Sequence, residues 1–196
     1  MNLVTLLVFL FFVGGSVFYV ITLYNGLIGV RADIEKAWSN IDVLLKQRYD
    51  EIPRLVEVCK GYMHYERETL EAVTQARSRY AQAETVAQKA DASGKVTSSV
   101  QQLLVAAENY PNLKASETFL ELRNRITQLE SEIADRREFY NDAVNHYNVR
   151  IQQMPDAMLA QMMGLQPRTM FHALSSERIA AAVLVPGGWS GGTPGR

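Results

Sequence analysis

Few side chains in this sequence stand where catalysis or metal binding would need them. The histidines are His64, His146 and His172. None has a second histidine four positions away, and HExxH, the spacing that puts two imidazoles on one helix face for zinc, does not occur. The stretch "HYERE" offers His64, Glu66 and Glu68, but side chains two apart on a helix do not converge on one ion. No P-loop and no G-x-G-x-x-G cradle for phosphate is present. No metal or cofactor is expected, and no catalytic set is recognisable. The most distinctive polar residues lie in "REFYNDAVNHYN", where Tyr140 and Tyr147, and Asn141 and Asn148, repeat at seven. Together with Trp38 and Arg136 they form a candidate polar cluster. Its chemistry is hydrogen bonding: either a groove that holds a polar ligand, or a seam in which phenols and amides fix the register of packed helices.

Elements that could position such a cluster are constrained first by composition. The chain has 196 residues, enough for one modest domain and an anchor, with 20 Lys+Arg against 21 Asp+Glu. A nucleic-acid partner would demand a basic face, and this balance gives none. The single cysteine, Cys59, excludes an intrachain disulfide and on a helix reads as a small buried hydrophobe.

The N-terminus carries the clearest physical signal. No charged side chain occurs before Arg31. About 20 apolar residues suffice for a helix to cross a bilayer, so the run containing Leu3, Leu10, Phe12, Val20 and Tyr24 is a transmembrane candidate. Tyr19, Tyr24 and Asn25 fall where an interfacial belt is expected. A cleaved signal peptide would want a basic residue before the apolar core and a small-x-small cleavage site, and neither is evident. Residues 1–26 are therefore expected to form an uncleaved anchor. Basic residues follow it (Arg31, Lys36, Lys46, Arg48) and none precedes it. The positive-inside bias then places the N-terminus outside and the rest in the cytoplasm, at the inner membrane.

Beyond the anchor the apolar spacing is helical almost throughout. The expected fold is all-α: the transmembrane helix, then an antiparallel, up-and-down four-helix bundle over residues 27–153. Asn25 and Gly26 are expected to let the chain bend between anchor and bundle. The first bundle helix carries Leu27, Ile34, Trp38, Ile41 and Leu45 on one face. Pro53 predicts its end, since proline disfavours the α region before it and suits the first turn of a new helix. A kink within one continuous helix is the alternative. The second helix is expected over 53–90, with "DASGK" around Gly94 as a turn. A short third helix ends at "ENYPNL". The fourth, over 114–153, has a heptad stripe through Phe119, Leu122, Ile126, Leu129, Ile133, Arg136, Tyr140, Ala143, Tyr147 and Ile151. Arg136 interrupts that stripe and should pair with a carboxylate or extend to water. Up-and-down topology returns this helix to the end where the first begins, so Trp38 should pack near Tyr140. Residues 154–174 should then lie beside the membrane. This segment is rich in methionine, and Met158, Met162, Met163 and Phe171 are candidates for a lipid or protomer contact, the bland alternative being a cap on the helix core. Residues 175–196 form a variable tail ending in Gly and Pro.

Three blocks together resemble the LemA family. They are "YNGLIGVRADIEKAWSNIDVLLKQRYDEIPRLVEVCKGYMHYERETLEAVTQAR", "AENYPNLKASETFLEL" and "REFYNDAVNHYNVRIQQMP". The resemblance covers about residues 24–172. It implies an N-terminal membrane helix, a short external N-terminus and a cytoplasmic antiparallel helical bundle. It supplies no catalytic residues. Some family relatives are linked to building or shaping bacterial membrane compartments, which implies a membrane-organising role here.

Two classes of function follow. One is a non-enzymatic, membrane-anchored scaffold that self-assembles as a homo-oligomer or tethers a membrane-protein partner. The other is a ligand-binding or regulatory protein with a polar site inside the bundle, near Trp38, Arg136, Tyr140 and Asn141.

Overall fold

A computed structural model describes residues 2–171 of the chain. Among these residues there are six helices and no strand: α1 (Leu3–Lys60), α2 (Arg67–Ala81), α3 (Val86–Ala107), α4 (Pro111–Lys114), α5 (Glu117–Arg150) and α6 (Asp156–Met162). The chain divides into two compact units. One comprises residues 2–51 with 124–170, the other 52–123 with Phe171.

The first surprise is α1, which runs 58 residues without a break. The expected bend at Asn25 and Gly26 does not occur, and Pro53 lies inside the helix rather than between two helices. Proline in a helix interior costs about 3 kcal/mol. Ile52, Leu55 and Val56 around it are buried, each worth about 1.5–3 kcal/mol. Local propensity asked for a stop at Pro53, and burial on both sides of it outweighed that preference.

In the first unit, α1 and α5 pair antiparallel. Contacts run from Gly26 with Arg150, through Trp38 with Tyr140, to Arg48 with Glu130 and Gln47 with Arg125. The buried stripe of α1 is Leu27, Val30, Ile34, Ile41, Leu45 and Arg48. The facing stripe of α5 is Ile126, Leu129, Ile133, Tyr140, Val144 and Tyr147. Both follow the expected three-and-four spacing. The exception is Arg136, which the heptad placed inward. It is exposed, its guanidinium 5.8 Å from the centre of the equally exposed Phe139 ring. Between Ile133 and Tyr140 the inner position falls on the half-buried Arg137 instead.

A charge that spacing alone did not single out is the largest fully buried side chain among the described residues. Arg48 is 1% exposed and donates from Nη1 to Glu130 Oε1 at 2.6 Å. Glu130 keeps about a quarter of its side chain in water, at 26%. An ion pair this dry adds little net stability over a hydrophobic pair, yet removing one partner strands the other.

In the second unit, α2 and α3 form a helical hairpin, and Tyr110 after α3 reaches back to Glu66 before α2 at 3.4 Å. The turn is at residues 82–85 and not at Gly94, which sits within α3. Thr85 and Gln88 form a reciprocal capping box: Gln88 N–H donates to Thr85 Oγ1, and Thr85 N–H to Gln88 Oε1. The T-x-x-Q pattern signals this helix start from sequence. Gly94 is tolerated because α3 buries small residues around it, Ala90, Ala92, Ser93 and Val96. Surface pairs such as Arg67 with Glu71 and Lys95 with Asp91 decorate the outer faces, where water screens them and they add little to stability.

Arg48→Ala should lower unfolding stability by about 2–3 kcal/mol, the low side of the range for a broken buried pair because Glu130 is partly hydrated. Adding Glu130→Leu should recover part of that loss. Denaturant melts of helical circular dichroism in mild detergent would measure both.

Candidate functional site

The membrane candidate comes first. From residue 3 to residue 22 every α1 side chain is exposed among the described residues. Leu3, Leu10, Phe12, Val20 and Tyr24 are 71, 55, 67, 50 and 45% exposed. Two hydroxyls inside the run bond within the helix, Ser16 donating to Phe12 O at 2.8 Å and Thr22 to Phe18 O at 3.0 Å. The backbone and these two hydroxyls thus need no water, which is what a hydrocarbon environment requires. Residues 3–24 span about 33 Å at the helical rise, against a hydrocarbon core of about 30 Å.

At the end of that run the returning chain is tied to α1. Arg150, the last residue of α5, donates from Nη1 to the Gly26 carbonyl at 3.1 Å and from Nε to Asp156 Oδ2 at 2.8 Å. Gly26 is required for this approach, since a Cβ there would collide with the guanidinium. One arginine therefore holds three elements at one level: the end of the apolar run, the end of α5 and the start of α6.

The polar cluster is resolved into a clasp. Tyr140 Oη donates to Thr169 O at 3.0 Å and Tyr147 Oη to Gln166 O at 3.2 Å. Asn148 makes two bonds to Arg168, Nδ2 to its carbonyl at 2.9 Å and Oδ1 from its N–H at 2.8 Å. These side chains, one helical face of α5, bind the backbone of residues 166–169, which belongs to no helix or strand, and the phenols and the amide supply hydrogen bonds that regular secondary structure does not. Trp38 packs edge-on against the Tyr140 ring, centroids 5.8 Å apart at 62°, as the up-and-down spacing predicts. Burial pushes the Tyr140 phenol above its ordinary pKa, with the Arg168 charge opposing, so the hydroxyl remains a donor. Asn141 is half-buried on the same helix, and Arg136 stands outside the cluster in solvent.

The methionine segment splits. Met154, Met158 and Met162 are 71, 61 and 85% exposed, Met163 is half-buried, and Ala160 faces inward. Phe171 does not share that surface: it is 1% exposed. The tail expected at 175–196 lies outside the described residues.

No group of three or more His, Cys, Asp or Glu placed to hold a metal occurs among the described residues. An open cleft of about 480 Å³ lies in the second unit, lined by Lys60, Met63, His64, Arg67, Leu70 and Glu71 among others. His64 thus meets cations and apolar surface there, and Glu71 is engaged by Arg67 at 2.6 Å. Cys59 is fully buried, and desolvation raises its thiol from near 9.0 to about 11.

Taken together, the fold and these contacts define an all-helical protein with one N-terminal helix long and apolar enough to cross a membrane. The chain belongs to the LemA family, whose model matches residues 37–185. It is 27% identical over 175 residues to Protein LemA of Metamycoplasma hominis, covering 89% of this chain and 80% of that protein. A shorter stretch of 75 residues is 31% identical to Magnetosome protein MamQ 2 of Paramagnetospirillum magneticum, covering 38% of this chain and 28% of that protein. Magnetosome protein MamQ of Magnetospirillum gryphiswaldense is 28% identical over 81 residues, 41% of this chain and 30% of that protein. The chain thus spans under a third of either magnetosome protein. The apolar helix and the family together indicate a membrane-associated protein.

Two outcomes check this description. Asn148→Ala removes both bonds to Arg168 and should raise amide exchange of residues 165–170 by about tenfold, matching roughly 1–2 kcal/mol of local stability, with α5 unaffected. Cys59 should resist alkylation at pH 8 in the folded protein. Its folded pKa is raised, so the thiol's contribution to stability is full below about pH 9 and declines as pH rises toward 11, which alkaline denaturant melts of wild type against Cys59→Ala would show.

Proposed function

We propose that this protein is a non-enzymatic scaffold held by its N-terminal helix in the bacterial inner membrane, where it assembles with copies of itself or tethers a membrane protein. Its helices form an antiparallel up-and-down bundle on the cytoplasmic side, with the N-terminus outside, in keeping with Arg31 and Lys36 just past the apolar run. The observation that carries the proposal is the change of character within one unbroken helix. α1 is wholly exposed and apolar up to residue 22, and from Leu27 it is an amphipathic helix with a buried stripe. An element that continuous transmits the position of the anchor directly to the domain. The stretch shared with magnetosome proteins supports a role in organising or shaping membrane. Side-by-side packing of one face against another on a membrane would build an array by repeating a single heterologous contact.

The competing function, a ligand-binding protein with its site at Trp38, Arg136, Tyr140 and Asn141, is less favoured. Tyr140, Tyr147 and Asn148 spend their hydrogen bonds on residues 166–169, and Arg136 faces solvent.

The full-length protein extracted in mild detergent should run as a discrete species several times the 22.1 kDa chain mass, and a chain beginning at Leu27 should lose that assembly. Light scattering after size exclusion measures both. A monomer in detergent and in cross-linked native membranes would rule out self-assembly.

A further inference from the structure

We propose that the exposed methionine face of α6 is a second membrane contact, seated in the headgroup-to-acyl boundary of the same bilayer leaflet from which α1 emerges. This rests on the anchor proposed above and adds to it a named surface and its occupant.

Depth is the first argument. Arg150 bonds the Gly26 carbonyl and, through Nε, the Asp156 carboxylate at the start of α6. One guanidinium joins the two, so α6 begins at the level where the apolar run of α1 ends. That level is where hydrocarbon gives way to headgroups. The face is the second argument. Met158 and Met162 are four residues apart on one side of α6 and are 61 and 85% exposed, and Met154, just before the helix, is 71% exposed. Ala160 on the inner side is 2% exposed, so α6 already has a packed face, and the methionines are the opposite one. A shared level is the third. Tyr24 and Ile28 on α1, two residues to either side of Gly26, are 45 and 40% exposed, so apolar side chains of α1 stand open at the same level. Unbranched thioethers adapt to an irregular, mobile surface better than branched side chains do. Short amphipathic elements at this depth bind by buried apolar area, with the polar side left in water. Exposed methionines at the bilayer boundary, two of them on one side of α6, have lipid as their nearest apolar neighbour, so lipid is the occupant we assign.

The test uses the full-length chain with Cys59→Ala, reconstituted in phosphatidylcholine vesicles. Single cysteines at Met158, Val13 and Val43 carry an environment-sensitive fluorophore. Val13 reports the span, and Val43, 54% exposed on α1 well beyond it, reports water. We expect the label at 158 to be quenched by lipids bearing a nitroxide near the headgroup, and severalfold less than the label at 43 by aqueous iodide. Iodide quenching at 158 equal to that at 43, with 13 still quenched only from lipid, overturns the α6 contact and leaves the anchor standing. Shielding at 158 from both quenchers assigns the face to protein and also overturns it. A label at 13 that iodide reaches removes the anchor itself. Should the cysteine variants lose helix content, the unmodified chain in the same vesicles is labelled with a photoactivatable lipid. Adducts in residues 151–163 support the contact, and adducts confined to residues 3–24 overturn it.

Discussion

Much in this molecule depends on α1 not ending at its boundary between two solvents. A helix satisfies its own backbone, so it can pass from hydrocarbon to water without leaving a carbonyl or an N–H stranded. The cost is that any element meeting α1 at the boundary must find a hydrogen-bonding group not already fully engaged. Arg150 does this by adding a second bond to the Gly26 carbonyl, and the missing side chain at Gly26 is what lets it close in. With Asp156 on its other edge, the guanidinium ties the start of α6 to α1 at the level where its apolar run ends.

The register of α1 against α5 has a different guardian. Apolar stripes slide past one another at modest cost, because one aliphatic side chain resembles the next. Arg48 does not resemble its neighbours. In the observed register it meets Glu130; in a shifted one it would be buried without a carboxylate, and that penalty is several kcal/mol. The same logic applies to Tyr140, Tyr147 and Asn148, each matched to a particular carbonyl or N–H of residues 166–169. Polar groups in this helical core are few, and the ones described select an arrangement more than they add to its stability.

That choice bears on function. A row of tyrosines and amides along a helix suggests ligand recognition until its partners are counted. Here they are backbone atoms of the same chain, and chemistry that looked available is committed to structure. What stays uncommitted is apolar: the first part of α1 and the outer side of α6. Both are apolar surfaces open to solvent, in line with a membrane-associated member of the LemA family.

Periodicity by itself was enough for the helical class, the apolar run, the buried stripes of α1 and α5 and the approach of Trp38 to Tyr140, because each is a one-dimensional pattern of side-chain polarity. Turn chemistry was legible at Pro111, and equally so at Thr85 and Gln88, where a capping box was passed over in favour of Gly94. Only the tertiary structure decided that Pro53 sits within a helix, since the burial that overrides it involves residues distant in sequence. It also decided between Arg136 and Arg137 as the inner residue, a choice that a seven-residue spacing leaves open when the helix repeats every 3.6. The burial of Arg48, the Arg150 tie and the clasp on residues 166–169 were beyond the sequence for one reason. The Arg48–Glu130, Arg150–Gly26 and clasp bonds join atoms across 19 to 124 positions of chain, and no local pattern records which distant carbonyl or carboxylate a polar side chain will meet.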